Sequence, residues 1–175
     1  MKHIPNILTA ARLLASPYIF WLLWTRQYDA TLVWVFVLGV SDSLDGYLAR
    51  RFNATSRVGA YLDPVADKLL LSGSYLTLVI GGDIPVWLAG LVLGRDALIL
   101  VFALGALALS RKRRDFSPSR AGKLSTFFQG LYILAVVAAG AGYISPDLAA
   151  AVGWVAALFT VGSGLDYARR ALSAA

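Results

Sequence analysis

Residues 30–80 of the chain read ATLVWVFVLGVSDSLDGYLARRFNATSRVGAYLDPVADKLLLSGSYLTLVI. Two largely apolar runs, each long enough to cross a bilayer, flank a short basic stretch. A carboxylate at the centre of a membrane-spanning helix costs about 2.5–3.5 kcal/mol on insertion scales. Several carboxylates so close together therefore indicate a compensating charge, and one divalent metal ion can satisfy more than one of them. The four acidic residues within these runs are Asp42, Asp45, Asp63 and Asp67.

The composition indicates a membrane protein. Of 175 residues, 58% are hydrophobic and only 15% are charged, and the mean hydropathy is +0.67. A soluble domain of this length would not carry so much apolar material outside its core, so we expect a polytopic membrane protein. The chain has no cysteine, which excludes disulfides and thiolate chemistry. Its net charge of +6 suits contact with anionic lipid, and nucleic-acid binding is not needed to explain it.

The apolar material divides into six segments. Each is long enough to cross about 30 Å of hydrocarbon as a helix, and the alternation expected of barrel strands is not seen. We therefore predict an all-α fold in which one domain, residues 1–175, has six transmembrane helices around a polar cavity that faces the cytoplasm. The segments are 7–25, 30–50, 59–80, 85–109, 124–143 and 148–167.

The basic residues predict the orientation of these segments. They concentrate at both termini and in the second and fourth loops, including the run 111–114, whereas the opposite loops hold Arg26 alone. By the positive-inside rule the termini and these two loops are cytoplasmic, as in an integral protein of a bacterial inner membrane. The four aspartates then lie in the inner halves of the second and third helices. Spacings of three and four residues place each pair on one helix face, and we expect the two faces to meet at the same depth.

The side-chain chemistry of this region suits phosphoryl transfer. A cluster of carboxylates without His or Cys favours Mg²⁺ or Mn²⁺ over zinc, and two such ions can clamp the entering and leaving oxygens of a displacement. Gly46 and Ala49 lack bulk, so a ligand can approach closely. Gly59 opens the next helix, where free N–H groups favour phosphate. Arg50 adds a positive charge beside them.

The same residues resemble a known signature. The pattern Asp42-x-x-Asp45-Gly46-x-x-Ala49-Arg50 followed by Gly59-x-x-x-Asp63-x-x-x-Asp67 is similar to that of the CDP-alcohol phosphatidyltransferase family at every defined position. Further stretches look like its cardiolipin synthase and phosphatidylglycerophosphate synthase branches. These are residues 4–12, 62–69, 94–96, 122–126 and 163–167.

The resemblance implies an integral membrane enzyme of six helices that forms a homodimer. It would transfer a phosphatidyl group from CDP-diacylglycerol to an alcohol and release CMP. Two Mg²⁺ or Mn²⁺ ions would be bound by Asp42, Asp45, Asp63 and, in part, Asp67. The main role of Asp67 would be that of the general base that takes the proton of the acceptor hydroxyl. The cytidine-diphosphate pocket would be formed by Asp42, Asp45, Gly46, Ala49, Arg50 and Gly59.

The acceptor is a separate question. Glycerol 3-phosphate carries a phosphomonoester and requires a cluster of cations, for which the candidates are Arg12, Arg95, Arg120 and Lys123. Phosphatidylglycerophosphate synthases usually have Glu where this chain has Asp96, and a second Lys where it has Ser125. Both differences favour phosphatidylglycerol, an acceptor without a phosphomonoester, and therefore cardiolipin synthesis. Glycerol 3-phosphate remains the alternative acceptor.

A cation-coupled transporter is the alternative from a different functional class. The same carboxylates could line a cation pathway through the membrane. Transport, however, would not require small residues at 46, 49 and 59 and an arginine at 50 at these offsets from the aspartates. The pattern as a whole therefore favours a transferase.

Overall fold

The computed structural model describes residues 4–51, 57–109 and 120–172, and side chains within 12–39, 66–101 and 121–169. Across these ranges the chain is helical, without a strand, so the predicted all-α class is confirmed. The basic run 111–114 lies outside the described residues. In chain order the helices are α1 Ile4–Trp24, α2 Tyr28–Arg51, α3 Arg57–Ile80, α4 Val86–Leu109, α5 Arg120–Gly140 and α6 Pro146–Leu172.

Three helices, α1, α3 and α5, end in the same hydrogen-bonded turn. After α5, Gly142 N–H donates to Ala139 C=O and Tyr143 N–H donates to Ala138 C=O. This is the Schellman arrangement, which needs a left-handed residue just past the helix. Glycine supplies it after α5 and α3, with φ of 82° and 77°, and Arg26 supplies it after α1 with φ of 56°.

Most helix boundaries differ from those of the apolar segments by one to five residues, and two of the differences have a visible cause. The fifth segment was expected to run to Tyr143, but the Schellman turn ends α5 at Gly140. The sixth was expected to begin at Leu148, but α6 begins at Pro146. There the Ser145 hydroxyl accepts the Leu148 N–H at 3.3 Å, as an N-cap does. Capping groups, and not hydropathy, therefore set these two boundaries.

The chain divides into two compact units. The first contains α1, α2, α3 and Val137–Tyr143. Within it, α1 packs against both α2 and α3. Its core contains the fully or almost fully buried side chains of Ile19, Leu22, Tyr75 and Leu78. In a bilayer the gain from such burial comes from close packing of the helices, because lipid tails are as apolar as the buried side chains.

Hydrogen bonds join the turns of this first unit. Tyr28 donates to Asp83 at 3.0 Å, and Arg26 donates through Nη2 to Gly81 C=O at 2.8 Å. Tyr143 donates to Asp29 at 2.8 Å. That hydrogen bond to a carboxylate raises the pKa of Tyr143 above its ordinary value. The turns that follow α1, α3 and α5 are thus tied to one another.

The second unit contains α4, most of α5, and α6. Within it, α4 packs against α6, and Leu88, Val92 and Ala156 are buried. A Cβ atom at Gly153 on α6 would lie 2.7 Å from the ring of Tyr132 on α5. The absence of a side chain at Gly153 therefore allows α5 and α6 to approach closely.

Two helices of the described part of the chain are long and apolar enough to cross a membrane, Ala121–Gly140 and Pro146–Arg169. A third apolar stretch, Tyr28–Gly39, is shorter. Large apolar side chains are exposed on many turns, with Phe36 at 71% and Leu158 at 72%. Such exposure is unfavourable in water but suits a lipid environment. The expectation of six spanning helices stays a prediction.

Candidate active site

The backbone places the four signature aspartates on two consecutive helices. Asp42 and Asp45 lie near the end of α2, and Asp63 and Asp67 lie near the start of α3. Because both helices are continuous there, each pair occupies one helix face. Of the signature residues, only Asp67 lies within the ranges whose side chains are described. Outside those ranges are Asp42, Asp45, Gly46, Ala49, Arg50, Gly59 and Asp63.

Asp67 forms an ion pair with Arg12 of α1. Arg12 Nη1 donates a hydrogen bond to Asp67 Oδ1. The two side chains differ greatly in burial, since that of Arg12 is 9% exposed and that of Asp67 is 60% exposed. A charged group this deeply buried is costly unless it is paired. Arg12 therefore contributes a fixed positive charge beside an accessible carboxylate.

This ion pair belongs to a regular contact between α1 and α3. Arg12 on α1 pairs with Asp67 on α3, and the same sequence separation of 55 residues recurs just past the ends of these helices, where Arg26 donates to Gly81 and Tyr28, the first residue of α2, donates to Asp83. A constant separation is what two parallel helices in one register produce. At 1.5 Å per residue, the Arg12 and Arg26 ends of this contact are about 21 Å apart. The α1–α3 register therefore decides that Arg12 meets Asp67.

A glycine brings these two helices close together. A Cβ atom on Gly73 of α3 would lie 2.2 Å from Cζ of Phe20 on α1, a distance that no real contact allows. Phe20 and Gly73 lie between the Arg12–Asp67 pair and the Arg26–Gly81 hydrogen bond in both helices. The aromatic ring therefore fills the space left by the missing side chain and supports the register from the middle.

Arg95 on α4 is buried in the second unit, with 6% of the residue exposed. Its Nη1 donates to Asp96 Oδ1 at 2.8 Å, and Nε and Nη2 donate to the Ser163 hydroxyl of α6. Its guanidinium carbon lies 5.7 Å from the ring centroid of Tyr167, within cation–π range. Its positive charge is therefore compensated by the neighbouring aspartate, and its three nitrogen atoms donate within the protein.

The remaining predicted acceptor-binding cations lie on α5. Lys123 is exposed near the start of this helix. Arg120 is its first residue, and its side chain lies outside the described part of the chain. The structure therefore brings Arg12 together with Asp67 and brings Arg95 together with Asp96 and Ser163, whereas it leaves the roles of Lys123 and Arg120 as predictions.

Sequence reasoning missed a buried polar network between α5 and α6. Gln129 Nε2 donates to Ser125 Oγ at 3.1 Å and to Thr160 Oγ1 at 3.0 Å. Ser125 and Thr160 hydroxyls are 3.3 Å apart, and Thr160 donates to Ala156 C=O at 2.7 Å. The signal was the spacing of four residues between Ser125 and Gln129 in an apolar helix. In this chain position 125 therefore serves the α5–α6 contact.

The donor set fits a hard divalent ion. Every proposed ligand is a carboxylate, the donor type that Mg²⁺ and Mn²⁺ prefer, and the Asp67 carboxylate is accessible. Among the side chains that the structure describes, no group of three or more His, Cys, Asp or Glu residues is found. The proposed cluster depends on Asp42, Asp45 and Asp63, whose side chains are outside that set. The ligand assignment accordingly stays a prediction.

Comparisons with known proteins bear on the reaction. Residues 2–162 match the family model described as CDP-alcohol phosphatidyltransferase. The chain is 37% identical over 161 residues to the cardiolipin synthase (CMP-forming) of Streptomyces coelicolor, covering 86% of this chain and 72% of that protein. It is 34% identical to the CDP-diacylglycerol–glycerol-3-phosphate 3-phosphatidyltransferase of Aquifex aeolicus, covering 77% and 75%.

A third relative covers almost the whole chain. The probable phosphatidylglycerophosphate synthase of Mycobacterium tuberculosis is 34% identical, covering 98% of this chain and 83% of that protein. The relatives are thus named as two different enzymes, a cardiolipin synthase and a phosphatidylglycerophosphate synthase. The family match spans α1 to most of α6 and includes every residue of the aspartate signature. Hence this chain belongs to the CDP-alcohol phosphatidyltransferase family.

Proposed function

We propose that this protein transfers the phosphatidyl group of CDP-diacylglycerol to phosphatidylglycerol, forming cardiolipin and releasing CMP. Family membership and the complete aspartate signature support the phosphatidyl transfer. The Streptomyces coelicolor relative, named cardiolipin synthase (CMP-forming), supports this acceptor. None of these relatives supports the alternative of a cation-coupled transporter.

In the proposed reaction an acceptor hydroxyl oxygen attacks the phosphorus of the phosphatidyl group. The new P–O bond joins acceptor and phosphatidyl, the P–O bond to CMP breaks, and CMP leaves with the bonding electrons. Asp67 takes the proton of the attacking hydroxyl. Its 60% exposure leaves the carboxylate accessible to an acceptor, as a general base requires.

Two Mg²⁺ or Mn²⁺ ions would be held by the carboxylates of Asp42, Asp45, Asp63 and Asp67. When bound, the ions supply positive charge that neutralises the diphosphate of the donor lipid. Gly46, Ala49, Arg50 and Gly59 would line the cytidine-diphosphate pocket. Arg50 contributes a further positive charge, and the small residues leave room for the nucleotide to approach the helix backbone.

The surroundings of Arg95 are the observation that most favours phosphatidylglycerol. A phosphomonoester dianion would be bound best by guanidinium donors that face the ligand. The nitrogens of Arg95 instead donate to Asp96 and Ser163, and the Asp96 carboxylate compensates the charge. Phosphatidylglycerol carries only the single negative charge of a phosphodiester, so it needs fewer uncompensated cations at this site.

Glycerol 3-phosphate is the second candidate acceptor, which would make the protein a phosphatidylglycerophosphate synthase. A relative with that name covers 98% of the chain, and one named CDP-diacylglycerol–glycerol-3-phosphate 3-phosphatidyltransferase covers 95%. Lys123 is exposed and Arg120 opens the same helix. These two cations would supply the contacts to a phosphomonoester.

The proposed reaction also implies an arrangement in the membrane. All six helices would span an inner membrane, with the termini and the aspartates toward the cytoplasm, and two copies would form a homodimer. The lipid tails of donor and acceptor would stay in the bilayer, so the polar cavity should open sideways between helices as well as toward the cytoplasm. Apolar exposed side chains such as Phe36 and Leu158 suit this setting.

An acceptor comparison tests the proposal. Purified protein receives CDP-diacylglycerol and Mg²⁺ or Mn²⁺ together with phosphatidylglycerol or glycerol 3-phosphate, and CMP and lipid products are quantified. We expect CMP and cardiolipin in equal amounts with phosphatidylglycerol. Formation of phosphatidylglycerophosphate in preference to cardiolipin would assign the second candidate, and no CMP with either acceptor would reject both.

A further inference from the structure

The contact between α1 and α3 suggests a role for Arg12 that differs from the one expected from its sequence. Arg12 was placed with the cations that bind the acceptor. We propose instead that Arg12 is a positioning residue, whose buried guanidinium holds the carboxylate of Asp67 in place at the reaction centre. This inference rests on the proposed function, because it deepens the role given to Asp67.

The difference in burial between Arg12 and Asp67 is the first observation that supports this role. The Arg12 side chain is 9% exposed and donates through Nη1 to Asp67 Oδ1. A phosphate of the acceptor would have to reach a guanidinium that lies inside the helix contact, next to the carboxylate of Asp67. The accessible partner of the pair is Asp67, at 60% exposure. An acceptor therefore meets the carboxylate more readily than the guanidinium behind it.

The local structure of α1 supports a fixed position for Arg12. The hydroxyl of Ser16, which is 1% exposed, donates to the Arg12 C=O at 2.8 Å. Pro17 lies one residue further and has no N–H to donate back along the helix. Ser16 thus adds a side-chain bond in the turn where the backbone ladder is interrupted. The backbone that carries Arg12 is held from within its own helix.

The register of α1 against α3 is the third observation that supports this role. The Arg12–Asp67 pair lies at one end of a contact in which Arg26 and Gly81 lie at the other, with the same separation of 55 residues. Between these two ends, the ring of Phe20 packs against Gly73. Because the helices are held along this length, the guanidinium has a defined position relative to α3. It can therefore orient Asp67, and misplacement of a reacting group by about 1 Å can cost about 10²-fold in rate.

The closing experiment separates positioning from acceptor binding. Arg12→Met, Arg12→Lys and the matched control Arg26→Asn are compared by kcat, by KM for the acceptor and by thermal midpoint in detergent. Arg26→Asn removes the cation from the far end of the same contact, and asparagine tolerates the left-handed backbone there. We expect Arg12→Met to lower kcat by about 10²-fold without raising KM for the acceptor. Arg12→Lys should recover part of the loss, since it keeps the charge but not the planar fork. Arg26→Asn should lower kcat far less than Arg12→Met, because Phe20 against Gly73 still holds the register of the two helices.

A double-variant cycle gives a readout that does not depend on activity. The thermal midpoint is measured for wild type, Arg12→Met, Asp67→Asn and the double variant. If the two side chains are coupled, Arg12→Met lowers the midpoint more in the wild-type background than in the Asp67→Asn background. Equal losses in both backgrounds would overturn the pairing.

The outcomes also distinguish this inference from the proposed function. A raised KM for the acceptor with kcat retained in Arg12→Met would assign Arg12 to acceptor binding and overturn the positioning role. Wild-type protein that releases no CMP with any acceptor would reject the proposed function. A coupled pair in the thermal cycle, found with such inactive protein, would leave the α1–α3 contact standing while rejecting its catalytic purpose.

Discussion

Among single side chains, the surroundings of Asp67 bear most directly on the proposed role of general base. Its carboxylate is accessible at 60% exposure and is bonded to a guanidinium that is almost fully buried. Accessibility lets a substrate hydroxyl approach, while the buried partner restricts the orientation of the carboxylate. The two properties come from different helices, because Asp67 lies on α3 and Arg12 lies on α1.

Asp67→Asn should abolish turnover while retaining substrate binding. The amide keeps the size of the carboxylate but cannot take a proton at neutral pH, and a general base contributes about 10²–10⁴-fold to a rate. CMP release from CDP-diacylglycerol measures the loss, and binding of radiolabelled CDP-diacylglycerol measures retention of the site. Turnover at the wild-type rate would remove Asp67 from the role of base.

Asp96→Asn should change the preference between acceptors. The substitution retains a hydrogen-bond acceptor for Arg95 Nη1 but leaves the guanidinium charge uncompensated. The ratio of kcat/KM for glycerol 3-phosphate over phosphatidylglycerol should therefore rise, because the phosphomonoester carries more negative charge. Ser163→Ala is the matched control, since it removes a hydrogen bond to the same guanidinium without a change of charge. An unchanged ratio in Asp96→Asn would show that Arg95 does not take part in selecting the acceptor.

The candidate residues were accessible to sequence reasoning to different degrees. The aspartate spacing showed which residues share a helix face, because helical periodicity is local. The partner of Arg12 was not predictable, since it depends on the register between two helices separated by 55 residues. Ser125 was treated as a missing lysine, whereas it is fully buried with Gln129 and Thr160. Which polar side chains turn inward is a property of packing, and a single sequence does not show it.

Between helices, a close approach of α1 to α3 centres on a glycine. The ring of Phe20 occupies the space in which a Cβ atom of Gly73 would lie, only 2.2 Å from Cζ. A close-packed contact of this kind cannot absorb an added methyl group without a shift of the helices or of the ring. Because the same contact holds Arg12 against Asp67, its geometry bears on the proposed reaction centre as well as on stability.

Gly73→Ala should destabilise the protein by about 1–3 kcal/mol, as overpacking of a close contact does. Phe20→Leu in the same chain should recover part of the loss, because the smaller side chain makes room for the methyl group. Gly90→Ala on α4 is the control, since a Cβ there meets nothing within 4 Å. The free energy of unfolding is measured by denaturation in detergent for the wild type, for Gly73→Ala, for the double variant and for Gly90→Ala. A Gly73→Ala variant as stable as the Gly90→Ala control would contradict the close approach.

Helix positions followed from hydropathy, and so did the ends of α3 at Ile80 and α4 at Leu109, but other helix boundaries did not. Apolar runs indicated where each helix lies because burial or lipid contact dominates over such lengths. The ends of α5 and the start of α6 depend on single groups instead, namely the left-handed Gly142 and the capping hydroxyl of Ser145. Both residues can be read in the sequence, but hydropathy alone does not identify them as helix boundaries.

For the complete chain, the fold class and the predicted topology rest on different grounds. The all-α class is observed in the described residues, and two helices there are long and apolar enough to cross a membrane. The orientation rests on the uneven distribution of basic residues. Because this asymmetry acts through the membrane and not through contacts between helices, it calls for a test in the bilayer.

Single cysteines provide that test, since the natural chain has none. Gln27→Cys lies in the turn after α1 and Ala168→Cys lies near the end of α6, and both positions are exposed. In intact cells a membrane-impermeant maleimide should label Gln27→Cys and should label Ala168→Cys only after permeabilisation. The opposite pattern would reverse the orientation, and labelling of both positions in intact cells would contradict an odd number of spans between them.

The central claim is that aspartates on α2 and α3 bind divalent ions at which CMP is released from CDP-diacylglycerol. Its most direct measurement is CMP release by purified protein in detergent, titrated with Mg²⁺ or Mn²⁺, for wild type and for Asp63→Ala. We predict that release by wild type requires the metal and saturates with it, and that Asp63→Ala releases no CMP at any metal concentration. Release by wild type without divalent metal, or a normal metal response in Asp63→Ala, would contradict the account.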